Sequence, residues 1–316
     1  MPFDINLPPN LWAWHVAAAL AHFVSFLLLT FAVTPPALYP GKIGPLVYTF
    51  KNNTDNATQV TGAQPVSWVD STPLQGVQAN EMLTLVSHII GIIIACKPEG
   101  SKPKESWRRW SEYAATAAVL ECALLVSYGV RDFFALLLVF CLNAALQYTG
   151  GLALDQAREL DDKDFYSTQR IVLLSQSFVF ISVQIWYTMT TAIVADTPGL
   201  GAGIVWSSVA YALFYLSFGV LQTLSHTIEK FDEDYVTDVG FVVLSVTSKL
   251  CLSWHVASIT KNVENKLLPN TVAAEADGLH ATVIVLYVLS SVGIATYFLC
   301  PCTKRLCNDR KKLPAV

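Results

Sequence analysis

Leu244-Ser245-Val246-Thr247-Ser248-Lys249-Leu250-Cys251-Leu252-Ser253-Trp254 decides the fold of this 316-residue chain, because the stretch is apolar yet carries one lysine in its middle. An ammonium at the centre of a bilayer costs about 2.5–3.5 kcal/mol even on lenient insertion scales. Such a group needs a covalent modification, a counter-charge or a water-filled cavity.

The surrounding composition places that stretch in a membrane. Hydrophobic residues make up 53% of the chain and charged residues only 14%, against roughly a quarter charged in a soluble domain. A span takes about 20 apolar residues. Eight candidates follow: Leu11 to Val33, Met82 to Cys96, Trp107 to Tyr128, Asp132 to Leu152, Ile171 to Ala195, Ile204 to Leu224, Val236 to Ser258 and Ala281 to Cys300. The second is short unless Asn80, Glu81 and their neighbours extend it. The first forty-one residues lack Lys and Arg, so the first span is expected to stay as a true span and not to act as a cleaved signal.

Orientation follows from the loop cations, which are in excess on the cytoplasmic side. With the N-terminus inside, 14 cations fall in cytoplasmic segments and five outside (Lys42, Lys51, Arg131, Lys261 and Lys266), leaving Lys249 over. Both termini are therefore expected inside. Two sequons, starting at Asn52 and Asn56, lie in the segment this puts outside. The seven cysteines form no disulfide framework. Cys300, Cys302 and Cys307 stand where the last span meets a basic tail, a placement compatible with palmitoylation.

The long first outer loop, Thr34 to about Ala79, is expected to have structure of its own. Leu46 to Phe50, an Asn- and Asp-rich turn over Lys51 to Asn56, and Ala57 to Val60 read as a β-hairpin. The acidic segments near Asp155 to Asp164 and Phe231 to Asp234 read as solvated helix ends. No internal repeat or pair of broken spans points to a secondary transporter, and nothing suggests a nucleic-acid partner; the chain is not expected to be an enzyme, with one using His and Glu residues as the reading left open.

Helical geometry then sorts the polar groups. Eleven residues rotate to within about 20° of the start, so Asp238 and Lys249 share a face, with Ser245 one turn before the lysine. Side chains lean toward the helix N-terminus, which takes the lysine nitrogen into the inner half of the membrane. Glu112, about 10 Å below the inner surface at 1.5 Å per residue, stands at a depth that nitrogen can share. Glu105 is on the same face, nearer water. Glu121, nine residues beyond Glu112, points the opposite way and is open to two readings: the outer half of a proton path, or a carboxyl hydrogen-bonded to a neighbouring helix. Phe178, Trp186, Tyr187, Phe214, Tyr215 and Phe218 supply aromatic surface in the fifth and sixth spans. His15 and His255 read as packed core histidines, and a metal site lacks ligand spacing.

Phe241 to Trp254, with a serine one turn before the lysine and Leu-x-Trp after it, resembles the retinal-lysine helix of the heliorhodopsins. Arg109-Trp110-Ser111-Glu112-Tyr113 resembles that family's counter-ion motif, and the inverted topology and β-rich first outer loop are similar to it too. The resemblance implies an all-α polytopic fold: a seven-helix, rhodopsin-like retinal-binding bundle over 1–260, with the β-rich loop at 34–79. An eighth helix and basic tail over 261–316 are additional to the family pattern. It further implies all-trans-retinal as cofactor, attached to Lys249 as a protonated Schiff base with Glu112 as counter-ion. Ser245, Phe214, Phe218 and Trp186 would complete the pocket. His22 and His88 resemble the family's polar pair in the cytoplasmic-side cavity and, with Glu105, Glu121, Asp238 and Arg109, are candidates for a proton path. Asn143 and Gln147 stand where the family has a glutamate. The implied output is light-gated proton transport, as in some viral members, with non-transporting photosensing as the alternative and a chromophore-free receptor or scaffold as the reading from another class. The expected partners are retinal, the lipid bilayer, protons and, by family habit, a second copy of the chain.

Overall fold

The computed structural model describes residues 11–33, 41–44, 46–52, 58–65, 69–97, 105–156, 168–194, 201–227 and 234–267. The expected eighth span over Ala281 to Cys300, Cys302 and Cys307 beyond it, two residues of each sequon and the carboxylates at 232–233 lie outside these residues.

Seven long helical segments dominate the described chain: α1 (Leu11–Phe31), α2 (Pro73–Ala95), α3 (Glu105–Ser127), α4 (Phe133–Leu146) continued by a π-helical stretch (Gln147–Ala153), α5 (Thr168–Val194), α6 (Gly201–Thr227) and α7 (Asp234–Leu267). Six of them are long and apolar enough to cross a membrane. The exception is α3, which carries Glu105, Arg108, Arg109, Glu112 and Glu121 within its 23 residues. Large apolar side chains such as Leu20, Phe23, Val179, Trp206 and Leu213 stand exposed on the outer faces of the bundle. Patches of that extent belong in hydrocarbon, and the chain is an integral, multi-pass membrane protein.

Helix α7 is the axis. Buried residues fill 78% of its apolar window, against 22–39% in the other five spans, and it packs on α1, α2, α3 and α6. A helix hydrophobic all round is one enclosed by others, so the lysine it carries is enclosed as well.

Helix α2 begins nine residues earlier than the expected Met82. Thr72 caps it, accepting from the Gln75 amide while the Gln75 side chain accepts from the Thr72 amide, and Pro73 fills the first turn. A reciprocal cap with proline at the first position starts a helix irrespective of hydropathy. The extension makes residues 73–79 helix, not loop, and brings Asn80 and Glu81 inside the bundle.

Before it, strands β1 (Gly41–Ile43) and β4 (Val69–Ser71) pair antiparallel, as do β2 (Leu46–Asn52) and β3 (Thr58–Pro65), whose register shifts between Thr49 and Phe50. Gly44 ties this segment to the bundle: its amide donates to the Arg131 carbonyl (3.2 Å) and its carbonyl accepts from the Phe133 amide (3.0 Å). That contact is at the α3–α4 turn, which Gly129 makes at φ +98°, a conformation that disfavours residues with a Cβ.

Candidate functional site

Lys249 is 3% exposed, and its Nζ lies 2.5 Å from Glu112 Oε1 and 5.0 Å from the centre of the Tyr113 ring. The same carboxylate oxygen accepts from Ser245 Oγ at 3.3 Å. The second oxygen accepts from Ser87 Oγ and from Arg108 Nη1, each at 2.7 Å. Arg108 in turn donates to Ser87 Oγ (2.6 Å) and through Nε to Glu105 Oε1 (2.6 Å). Two cations and two hydroxyls thus surround one buried carboxylate. Breaking one member of such a set is costly because it leaves the others unpaired.

From Glu105 the polar groups continue along α1 and α2. His15 Nε2 lies 3.3 Å from Glu105 Oε1, and His15 Nδ1 lies 3.0 Å from His88 Nδ1. The His88 ring stacks on His22 with centroids 5.7 Å apart, and His22 Nδ1 meets Glu81 Oε2 at 2.7 Å. His15, His22, His88 and Glu81 are buried. His15, expected to be a plain core residue, belongs to this array, because seven residues of helix put it on the His22 face.

The next residue of α3 faces elsewhere. Arg109 pairs with Asp238 and, at 3.4 Å, with Asp155, and its guanidinium lies 4.3 Å from the Phe241 ring centre. Asp155 also accepts from Trp110 Nε1 (2.6 Å) and Gln222 Nε2 (2.9 Å) and lies 3.0 Å from His226 Nε2. Asp238 shares a face with Lys249 by helical count, yet its ion-pair partner is Arg109. Asp155, expected to be a solvated helix end, is 16% exposed and at the centre of this second cluster.

Between α3, the end of α4, α5, α6 and α7 runs a cleft with about 860 Å³ not filled by atoms, space open to the outside included. Lys249 and Ser248 stand in one wall. Trp110, Tyr113, Phe178, Phe214, Tyr215 and Phe218 supply most of the aromatic surface. Glu121 reaches it from α3, accepting from Gln184 Nε2 and Thr188 Oγ1, both at 3.2 Å. Gln147 lines the same cleft and donates to Asn143 Oδ1 at 3.1 Å.

Trp186 does not belong to the pocket. It is 74% exposed, because Gln184 and Thr188 face inward and a residue two positions from each is turned about 200° away. Sequence reasoning also gave no part to Ser87, Arg108, Glu81 and Asp155. Arg108 was legible from its spacing, three after Glu105 and four before Glu112, where side chains on one helix face meet.

A family model described as heliorhodopsin matches residues 11–260. No curated protein sequence matches the chain. Among solved structures, that of cyanorhodopsin N2098R from the cyanobacterium Calothrix sp. NIES-2098 is similar at a TM-score of 0.56 and 9% identity, covering 82% of this chain and 98% of that one. At that identity the likeness concerns the fold, which is rhodopsin-like.

Proposed function

The chain belongs to the heliorhodopsin family, and from that premise we propose that it is a light-gated proton transporter built on Lys249. Family membership implies a light-sensing protein that binds retinal. The cleft fits such a cofactor: it is lined largely by aromatic and aliphatic side chains and has a primary amine in its wall. All-trans-retinal bound as a protonated Schiff base on Lys249 would supply a polyene that light can isomerise. The chain's own residues do the rest. Glu112 holds the positive charge at Nζ through Oε1, since an opposite charge at short range favours the protonated form. Ser245 and Arg108 fix the carboxylate in place. Phe214, Phe218 and Tyr113 exclude water around the polyene. His22, His88, Glu105, Glu121, Asp238 and Arg109 are the groups able to pass or stabilise a proton on either side. Both termini are inside, the cation-rich loops facing the cytoplasm, and two copies form the working unit.

The contact between Lys249 Nζ and Glu112 Oε1 carries this reading. Reconstitution tests it: all-trans-retinal added to the expressed protein should produce a visible absorption band, absent in Lys249→Ala. A wild-type protein that stays colourless sinks the proposal. Under voltage clamp, a light-evoked current that follows the pH gradient supports transport; a coloured protein without current at any gradient is a photosensor instead.

A further inference from the structure

Gln222 stands in the wall of the cleft and is 4% exposed. The orientation of its amide is fixed, because Nε2 donates to Asp155 Oδ1 at 2.9 Å and an ionised carboxylate only accepts. Oε1 is therefore the atom turned the other way, and it is buried with no hydrogen-bond partner among the described residues. Buried polar atoms are nearly always satisfied, so this acceptor calls for a donor. A second acceptor lies in the same cleft. Ser177 spends its one hydroxyl hydrogen on the Leu173 carbonyl, 2.6 Å away, and its oxygen then has only lone pairs to offer.

These two residues belong to one end of the cleft. A Cβ on Gly219, three positions before Gln222, would meet Ile181 and Phe178 of α5. Consecutive spans run in opposite directions, so three residues onward on α6 corresponds to about one turn back on α5, which is the level of Ser177. Helix α5 packs on α4 and α6, and the end it lines is across the cleft from Lys249 on α7. Leu146, Leu174, Phe178 and Phe218 make the rest of that end apolar. Glu121, the carboxyl on the aromatic side, is already engaged, accepting from Gln184 and Thr188 through separate oxygens. A few placed polar groups in a mostly apolar pocket decide which ligand fits and how it lies.

We propose that the retinoid taken by this cleft carries a hydroxyl on its ring, and that the hydroxyl donates to Gln222 Oε1 beside the second acceptor, Ser177 Oγ. The inference rests on the retinal reading above and narrows its ligand to a ring-hydroxylated form. A plain hydrocarbon ring would cover Gln222 Oε1 and leave it unsatisfied, which disfavours that ligand. Because the free atoms accept and do not donate, a ring hydroxyl is recognised and a ring ketone at the same carbon is not. Asp155 is the positioning residue: its hold on Nε2 is what turns Oε1 away and keeps the amide from flipping to present a donor.

Binding to the retinal-free, full-length protein tests the inference, with all-trans-retinal, its 3-hydroxy and 4-hydroxy derivatives and its 4-oxo derivative as probes. In Lys249→Ala, where no covalent bond forms, quenching of tryptophan fluorescence reads the dissociation constants directly. At least one hydroxylated probe should bind about fivefold tighter than all-trans-retinal, the worth of one net hydrogen bond, and the 4-oxo probe no tighter than all-trans-retinal. Wild-type protein given equal amounts of that hydroxylated probe and all-trans-retinal should, after extraction, release the hydroxylated compound in excess. Gln222→Met should bring both ratios to about one, and Ser177→Ala should lower them. Hydroxylated probes that bind no tighter than all-trans-retinal, a ketone that binds as tightly as the hydroxyl, or a preference that survives in both variants overturns the inference and leaves the retinal reading standing. A wild-type protein that binds none of the four and forms no visible band removes the retinal reading and this inference with it.

Discussion

Arg108 and Arg109 are consecutive, have side chains equally shielded from solvent and serve different halves of the bundle. Arg108 turns to α2 and binds Glu105 and Glu112. Arg109 turns to α7 and the end of α4 and binds Asp238 and Asp155. One step of a helix rotates about 100°, and that rotation separates a network containing the lysine nitrogen from one that does not. The difference teaches that burial and charge do not by themselves mark the reactive site. What marks it is a connection to Lys249, which only the Arg108 side possesses through Glu112.

The sharpest way to break this division is to remove each guanidinium in turn. Arg108→Met leaves Glu105 and Glu112 without their shared cation, and removing one partner from a buried ion pair costs about 3–5 kcal/mol. The expected outcome is a large fall in the temperature at which the visible band bleaches, together with a displaced absorption maximum, since the charge facing Nζ has been rebalanced. Arg109→Met should lower the bleaching temperature by a similar amount and leave the maximum nearly in place. Equal displacement in the two variants would show that the second cluster also acts on the chromophore.

The same contrast explains how much the sequence disclosed. The bundle was legible from apolar runs, and Lys249 from its cost in the membrane. Glu112 was legible because a motif and helical depth agreed on it. The histidine array was half legible: His15 and His22 on α1, and Glu81 and His88 on α2, each stand seven apart and so share a face. That repeat is visible, but apolar content starts the span at Met82 unless Asn80, Glu81 and their neighbours extend it, because hydropathy ignores the cap at Thr72. The Asp155 cluster was hidden for a different reason. The π-helical stretch Gln147–Ala153 changes the angular register, so a regular helical count from α4 misplaces the aspartate. The ring of Trp186 suggests a pocket residue, but its helical register puts it on the outer face.

Gly151 lies in that π-helical stretch and probes the link between the second cluster and the cleft. A Cβ there would overlap the Trp110 ring, and Trp110 both lines the cleft and donates to Asp155. Gly151→Ala must push the indole or the backbone aside, and overpacking of this kind costs about 1–3 kcal/mol. A lowered bleaching temperature with a modest spectral shift is expected. A variant as stable as wild type would mean that the π-helical turn yields freely and does not hold Trp110 in place.

The smallest effect belongs to Glu121, the carboxyl on the aromatic side. Glu121→Gln keeps its shape and one acceptor for Gln184 Nε2. The oxygen facing Thr188 becomes an amide, so the Thr188 hydroxyl has to turn and accept. The Gln184 bond is kept and only the Thr188 hydroxyl changes its role, so stability should change by about 1 kcal/mol. The absorption maximum should move less than in Arg108→Met, because this carboxyl's hydrogen bonds go to Gln184 and Thr188 on α5, whereas Arg108 binds the carboxylate that faces Nζ. A shift as large as that of Arg108→Met would place charge on the aromatic wall and dissolve the distinction between the two halves.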